Sequence, residues 1–312
     1  MQAGLALALT GGARVFASAA EHDAAGPSGG VIEQIAPGVY VHRGAHATYT
    51  PGNLGDISNN GFIVGGEAVA VIDTGGTAAV GRRLREAVRA VTDKPVRYVV
   101  NTHMHPDHVL GNAAFRGDSP AFVGHHKLAA ALSARAERYL AYNRSEVGEA
   151  GFAGTEIVLP SLTVESALEL DLGGRRIRLE AQRTAHTDND LTVRDMATDT
   201  VFMGDLIFAE HVPTIDGSIR GWIALLEAMS KVPAARIVPG HGPSSMPWPA
   251  AAAPLQRYLD AVASDVRKAI RDGRTLSETT KTAAPGERDK WELFDGYHAR
   301  NISAAFAELE WE

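Results

Sequence analysis

The sequence predicts an α/β fold: an αββα sandwich of two mixed β-sheets, with helices on the outer faces and a C-terminal helical appendage. Three observations predict it. Short β-branched runs alternate with amphipathic stretches of helical period; the order strands, helix, strand occurs twice without a sequence repeat; and chemically capable side chains fall where apolar strands meet a glycine or a turn. In the first half, residues 39–43, 61–64 and 67–72 read as strands, 78–91 as an amphipathic helix and 96–100 as a buried strand. In the second half, strands at 162–172, 175–181, 191–194 and 200–203 lead to a helix at 222–231 and a strand at 236–238. Residues 128–149, rich in Ala and Arg with Tyr139 and Tyr142, read as an inserted helix. Beyond Pro247-Trp248-Pro249, residues 250–272 and 291–312 are helical, with Ala and Leu at the spacing of a core-facing stripe. The expected organisation is one domain over residues 31–246, an extension over 247–312 packed on it, and a leader or flexible tail over 1–30.

The densest chemistry follows the strand at 96–100. His103, His105, Asp107 and His108 put four metal-ligand side chains into six residues. In extended chain the side-chain period of two sends His103 and His105 to the same side, about 7 Å apart along the backbone, so that both can reach one ion. Pro106 then bends the chain, and Asp107 and His108 open a short helix toward a neighbouring position. The spacing suggests two metals. Three further donors fall in turns after apolar strands: His186, Asp205 in Gly204-Asp205, and His241 in Gly240-His241-Gly242.

Taken in order, these motifs resemble those of the metallo-β-lactamase-fold hydrolases over residues 31–245. The resemblance implies one zinc on His103, His105 and His186, a second on Asp107, His108 and His241, and Asp205 bridging both. Lactamases of this fold usually have Cys or Ser at the bridging position, whereas thioesterases and lactonases carry Asp, which argues against a dedicated lactamase. Narrower likeness, in residues 71–76, 184–191, 216–222 and 306–312, is to zinc metallohydrolases of bacterial quinoprotein relay systems, related to a sulfur-oxidation-cluster hydrolase. It implies a periplasmic protein working beside a quinoprotein dehydrogenase.

The implied chemistry needs no nucleophilic side chain. Two divalent ions about 3.5 to 4 Å apart lower the pKa of a bridging water so that hydroxide attacks a carbonyl of an ester, thioester, lactone or amide near neutral pH. The chain has no Cys and no G-x-S-x-G elbow, which fits. Asp107 is the expected catalytic residue, a ligand that also relays a proton to the leaving group. Imidazole and carboxylate donors suit zinc, and also iron or manganese.

Ligating imidazoles need an acceptor on the other ring nitrogen. Asp73, ending an apolar strand before Thr74-Gly75-Gly76, is the first candidate to supply one. Asp190, with Asp188 and Asn189, follows His186 closely and is a second. His211 lies in the loop 208–216 expected over the metals, and Arg220 and Trp222 share that region as candidates for the substrate rim, with Trp222 better read as a packing anchor. His125 and His126 read as a solvated helix start, and Thr102 and Asn112 as turn residues.

A net charge of −7 provides no basic stripe for a phosphate backbone and argues against nucleic acid, leaving a small-molecule substrate. Residues 1–20 resemble an export leader without a basic start, since the first basic residue is Arg14. A processed leader implies a periplasmic or secreted protein with no membrane-spanning segment; otherwise the chain is cytoplasmic. Two other classes stay open: an iron-dependent redox enzyme of the same fold, and a non-catalytic protein binding a quinone cofactor or a partner dehydrogenase.

Overall fold

A computed structural model describes residues 32–312. The leader expected over residues 1–30 lies outside them. The first sheet is built in chain order from β1 (Ile32–Ala36), β2 (Val39–His42), β3 (Asn60–Val64), β4 (Val69–Ile72), β5 (Val96–Val100), β6 (Ala121–His125) and β7 (Leu162–Val164). Its first four strands pair antiparallel and β4 to β7 pair parallel. Parallel neighbours need crossovers, and three supply them: α1 (Ala78–Val91); α2 (Pro106–Val109) with a 3-10 turn to Asp118; and α3 (Leu128–Phe152), which kinks at Gly148.

The second sheet has the order β12-β11-β10-β9-β8, from β8 (Ala167–Asp171), β9 (Arg176–Ala181), β10 (Leu191–Asp195), β11 (Thr200–Phe208) and β12 (Arg236–His241). Only β11 and β12 are parallel, joined through α4 (Ile219–Met229). The segment 162–172, expected as one strand, is two: β7 ends the first sheet and β8 begins the second. Exposed Glu165 and Ser166 make the step, and the apolar alternation continues across it, which hides the break from a reading of periodicity.

Three apolar layers hold these elements. Between the sheets, Val39, Val41, Ile63, Ile72 and Val100 meet Ile177, Leu179, Leu191, Val193 and Phe202. On the outer face of the first sheet, α1 lays Leu84 and Val88 on Phe62, Val71 and Val99. Thr77 starts that helix by accepting from the Val80 amide, and Arg82 and Arg89 face outward, as the amphipathic pattern requires. On the outer face of the second sheet, Met203 and Ile207 of β11 share one core with Trp222 and Leu226 of α4 and with helix α5 (Ala252–Arg271), while the short α6 (Leu276–Thr282) packs against α7 (Phe294–Leu309), which joins the same core. Leu255, Leu259, Val262 and Ile302 are all completely buried in it. Burying each such side chain contributes about 1.5 to 3 kcal/mol. Residues 247–312 are therefore a full outer layer of the sandwich.

Candidate metal centre

The strand ends converge on one edge of the sandwich. Asp73 follows β4, His103 to His108 follow β5, Asp205 is in β11, and His241 ends β12. Asp205 was expected in a turn, but β11 runs through it to Phe208 with its pairing to β12 shifted around Gly204. Gly204 sits at φ +51° with Thr102 against it, and a Cβ on Gly240 would come within 1.9 Å of Asp205 Oδ1. The glycines of the Gly-Asp and Gly-His pairs thus let three backbone segments close around the carboxylate.

Two groups of donors form. His103, His105, His186 and Asp205 make one, and Asp107, His108 and His241 the other, with ligand atoms inside each group within 4.8 Å of one another. His105 Nδ1 lies 3.1 Å from His103 Nε2 and 2.9 Å from His186 Nε2. Asp107 Oδ2 is 3.5 Å from His108 Nε2 and 3.3 Å from His241 Nε2. Asp205 reaches both groups: Oδ2 is 3.6 Å from His103, 3.4 Å from His186 and 3.5 Å from His241, while Oδ1 is 3.1 Å from His108.

The outer hydrogen bonds fix which nitrogens face inward. Thr102 gives its one hydroxyl proton to Asp73 Oδ2 at 2.7 Å, so the 3.0 Å contact with His103 must be donated by Nδ1. His108 Nδ1 donates to the same Asp73 oxygen at 2.8 Å, and the Thr102 amide donates to the other at 2.8 Å. His186 Nδ1 donates to the Thr214 carbonyl at 2.7 Å, and His105 Nε2 to Asp216 at 3.1 Å. Each of these four rings therefore turns its other nitrogen into the cluster. Buried His108 Nε2 and Asp205 Oδ1 make no hydrogen bond despite their 3.1 Å separation. Buried polar atoms left without a partner are costly, and cations are what such a donor set accommodates.

Charge agrees. Burial lowers His103 well below the ordinary imidazole range and brings His186 down to about 3, leaving both neutral. Burial pushes the other way on Asp205 and Asp107, but His108 and His241 outweigh it, holding Asp205 well below the usual carboxylate range and Asp107 at about 2. For His241, Asp205 and Asp107 overcome the effect of burial and raise the ring to about 9. Metal binding takes ionised carboxylates and neutral imidazoles, so a cation here would displace the proton that the carboxylates hold on His241.

Above the donors is a cavity of about 440 Å³ that His105, Asp107, Asp205 and His241 border. His211 borders it too, buried, its Nδ1 donating to its own neighbour's carbonyl at Val212 and its ring centre 5.1 Å from that of His241. Asp73 touches both donor groups, through His108 directly and through Thr102 to His103.

Other expectations are corrected. Asp190 does not orient His186; it accepts from the Thr187 amide and hydroxyl, because a short Asx-type turn consumes its oxygens, and Thr214 takes the His186 proton. Arg220 is away from the cavity, paired with Glu312 at 3.1 Å, since the C-terminus returns past the start of α4. His125 is buried at the end of β6, accepting from the Lys127 amide, and only His126 is exposed. Trp222 is fully buried and donates to the Leu206 carbonyl. The residues sequence reasoning missed are Thr102, Thr214 and Asp216; the signal for Asp216 was its carboxylate in the loop already expected to cover the metals.

The fold has counterparts among known proteins. The profile of the Metallo-beta-lactamase superfamily matches residues 54–241, a span that includes every donor of both groups. Among solved structures, the metallo-beta-lactamase from Pontibacter korlensis has a TM-score of 0.59 at 19% identity, covering 74% of this chain and 98% of that one. TMB-1 has a TM-score of 0.58 at 19% identity, covering 75% and 98%. A linear primary-alkylsulfatase of a Pseudomonas species is 39% identical over 49 residues, which is 16% of this chain and 9% of that protein. The alignment thus spans under a tenth of the curated relative. With a family match over more than half its length, the chain belongs to the metallo-beta-lactamase superfamily.

Proposed function

We propose that the chain is a dinuclear zinc hydrolase acting on a carbonyl ester, thioester, lactone or amide. His103, His105 and His186 would hold one cation, Asp107, His108 and His241 the other, and Asp205 both. The observation that carries this reading is the Asp205 carboxylate, whose oxygens lie 3.1 to 3.6 Å from imidazole nitrogens of both groups. Two bound divalent cations supply a water activated near neutral pH and polarise the substrate oxygen. The protein's part is to fix the donors through Asp73, Thr102, Thr214 and Asp216, and to handle the proton. Asp107 Oδ2, at the cavity border, takes it and passes it to the leaving group. The absence of thiolate suits zinc, with iron and manganese compatible with the same donors.

A second reading is sulfate-ester hydrolysis, favoured by the 49-residue likeness to an alkylsulfatase. The quinoprotein relay reading rests on four resembling stretches, and three of them have work at the metal centre: residues 71–76 carry Asp73, 184–191 carry His186, and 216–222 carry Asp216. In the fourth, Glu308 accepts from the Ser218 hydroxyl and the Ile219 amide, tying down the segment after Asp216. Export to the periplasm beside a quinoprotein dehydrogenase is the setting these stretches suggest. The test is hydrolysis of a lactone, thioester, β-lactam, phosphodiester and alkyl sulfate panel by zinc-loaded protein beside Asp205→Ala. Turnover of a carbonyl substrate by the wild type alone supports the proposal; turnover of only the sulfate moves it to the second reading. One tightly bound iron with no hydrolysis overturns it.

A further inference from the structure

The inserted helix α3 has two unlike faces. Leu128, Leu132, Val147 and Phe152 are buried against Met104, Val109 and Leu110 beside the metal loop. Arg135, Arg138, Tyr139, Tyr142 and Asn143, at the i, i+3, i+4, i+7, i+8 spacing of one helical stripe, all border the cavity above the donors. Arg300 and Tyr297 of α7 border it as well. Arg135 is half-buried, and Arg138 and Arg300 stand exposed at the cavity mouth.

Among the described residues none of these three guanidinium groups is in an ion pair, although Arg135 is near enough to Asp216 to help lower its carboxyl. Among the described residues, no carboxylate lies within 4.0 Å of Arg135, Arg138 or Arg300, whereas Arg85, Arg175, Arg257 and Arg267 each hold one. The acids that share the cavity, Asp107, Asp205 and Asp216, are engaged by imidazoles. Planar forks of this kind recognise oxyanions through paired hydrogen bonds, and the tyrosine rings beside them offer flat contact area.

We infer that the substrate carries an oxyanion remote from the bond that is cleaved, received by Arg135, Arg138 and Arg300, with a flat or apolar body lying against Tyr139, Tyr142 and Tyr297. This deepens the hydrolase reading and rests on the metal centre being its reactive end. It names the substrate class as an anionic, amphipathic ester or amide with its charge at the far end from the metals.

The probes are two matched pairs, terephthalate against benzoate and 2,6-naphthalenedicarboxylate against 2-naphthoate, titrated calorimetrically into the zinc-loaded full chain. One carboxylate of each serves the metals, and the second reports on the arginines. In at least one pair the dicarboxylate should bind about tenfold more tightly or better, the scale of a charge-assisted hydrogen-bonded contact. Arg135→Ala/Arg138→Ala, and Arg300→Ala to a lesser degree, should erase that preference while leaving the monoacid unchanged. Equal binding of diacid and monoacid by the wild type in both pairs overturns the inference, as does a preference that survives all three substitutions. Should the variants also lose the monoacid, salt decides: the wild-type preference must shrink from about 50 to about 500 mM salt, and one that does not is contrary to it. Failure of the hydrolase reading is separate, because it appears as absent turnover while this preference is read without any turnover.

Discussion

Two buried polar clusters in this molecule are satisfied in opposite ways. In the C-terminal layer, Glu287 accepts from Arg257 at 3.1 Å, Lys290 at 2.8 Å and the Trp291 indole at 3.0 Å, so that its carboxylate is fully used by the protein. At the sheet edge, the outward ring nitrogens of His103, His105, His108 and His186 are each held by a partner, yet the inward ones crowd around Asp205, and His108 Nε2 and Asp205 Oδ1 are left without a hydrogen bond. Both clusters are buried and charged. Only the second has donors converging on a point that no protein atom fills, and that separates a site that binds from a network that holds the fold.

Substitutions should split the clusters cleanly. The largest effect expected is from Asp205→Ala, which removes a donor common to both groups: hydrolysis should fall by about a thousandfold or more in steady-state assays, with an unchanged circular dichroism spectrum. Glu287→Gln should do the reverse, leaving turnover intact and lowering stability by about 2 kcal/mol in denaturant titrations at neutral pH, less than a fully buried pair because Arg257 and Lys290 are about half exposed. Its sign with pH is fixed. Burial raises the Glu287 carboxyl, but the bonds from Arg257, Lys290 and Trp291 outweigh it and hold the group at about 2. The contribution is therefore complete above the unfolded value of about 4.3 and disappears as pH falls through about 2, so the two proteins should converge in stability in acid. A gap that persists at low pH would mean that Glu287 acts through packing.

Within the metal cluster the supports should rank by how many rings they hold. Asp73→Asn weakens the hold on His108 and, through Thr102, on His103, and should reduce zinc affinity by about 10- to 100-fold in competition with a chelating dye. Asp216→Asn touches His105 alone and should cost about tenfold at most. Equal losses in the two variants would break the ranking.

Much of this was legible in the sequence, for a physical reason. The donors occupy strand ends, where period-two spacing and glycine turns leave a local signature, as in His103, His105 and Gly240-His241. The two-sheet architecture was legible because apolar periodicity survives in a one-dimensional string. What stayed hidden depends on three-dimensional return of the chain. Thr214 supports His186 through a backbone carbonyl, which any residue type could provide. Arg220 has a rim-like position in sequence, and only the passage of Glu312 beside it explains its pairing. Asp190 shows the limit of proximity, since a carboxylate four residues from a ligand was spent on its own turn. The stripe on α3 is written plainly in helical spacing, but its meaning depends on which face looks into the cavity.

The central claim is that Asp205 joins two donor groups into one two-metal centre. Calorimetric titration of chelator-treated protein with zinc tests it most directly, in the wild type and in Asp205→Ala. The wild type should take up about two equivalents per chain, and the variant should fall below one at the same zinc concentrations. A single equivalent in the wild type, or two retained in Asp205→Ala, would contradict it.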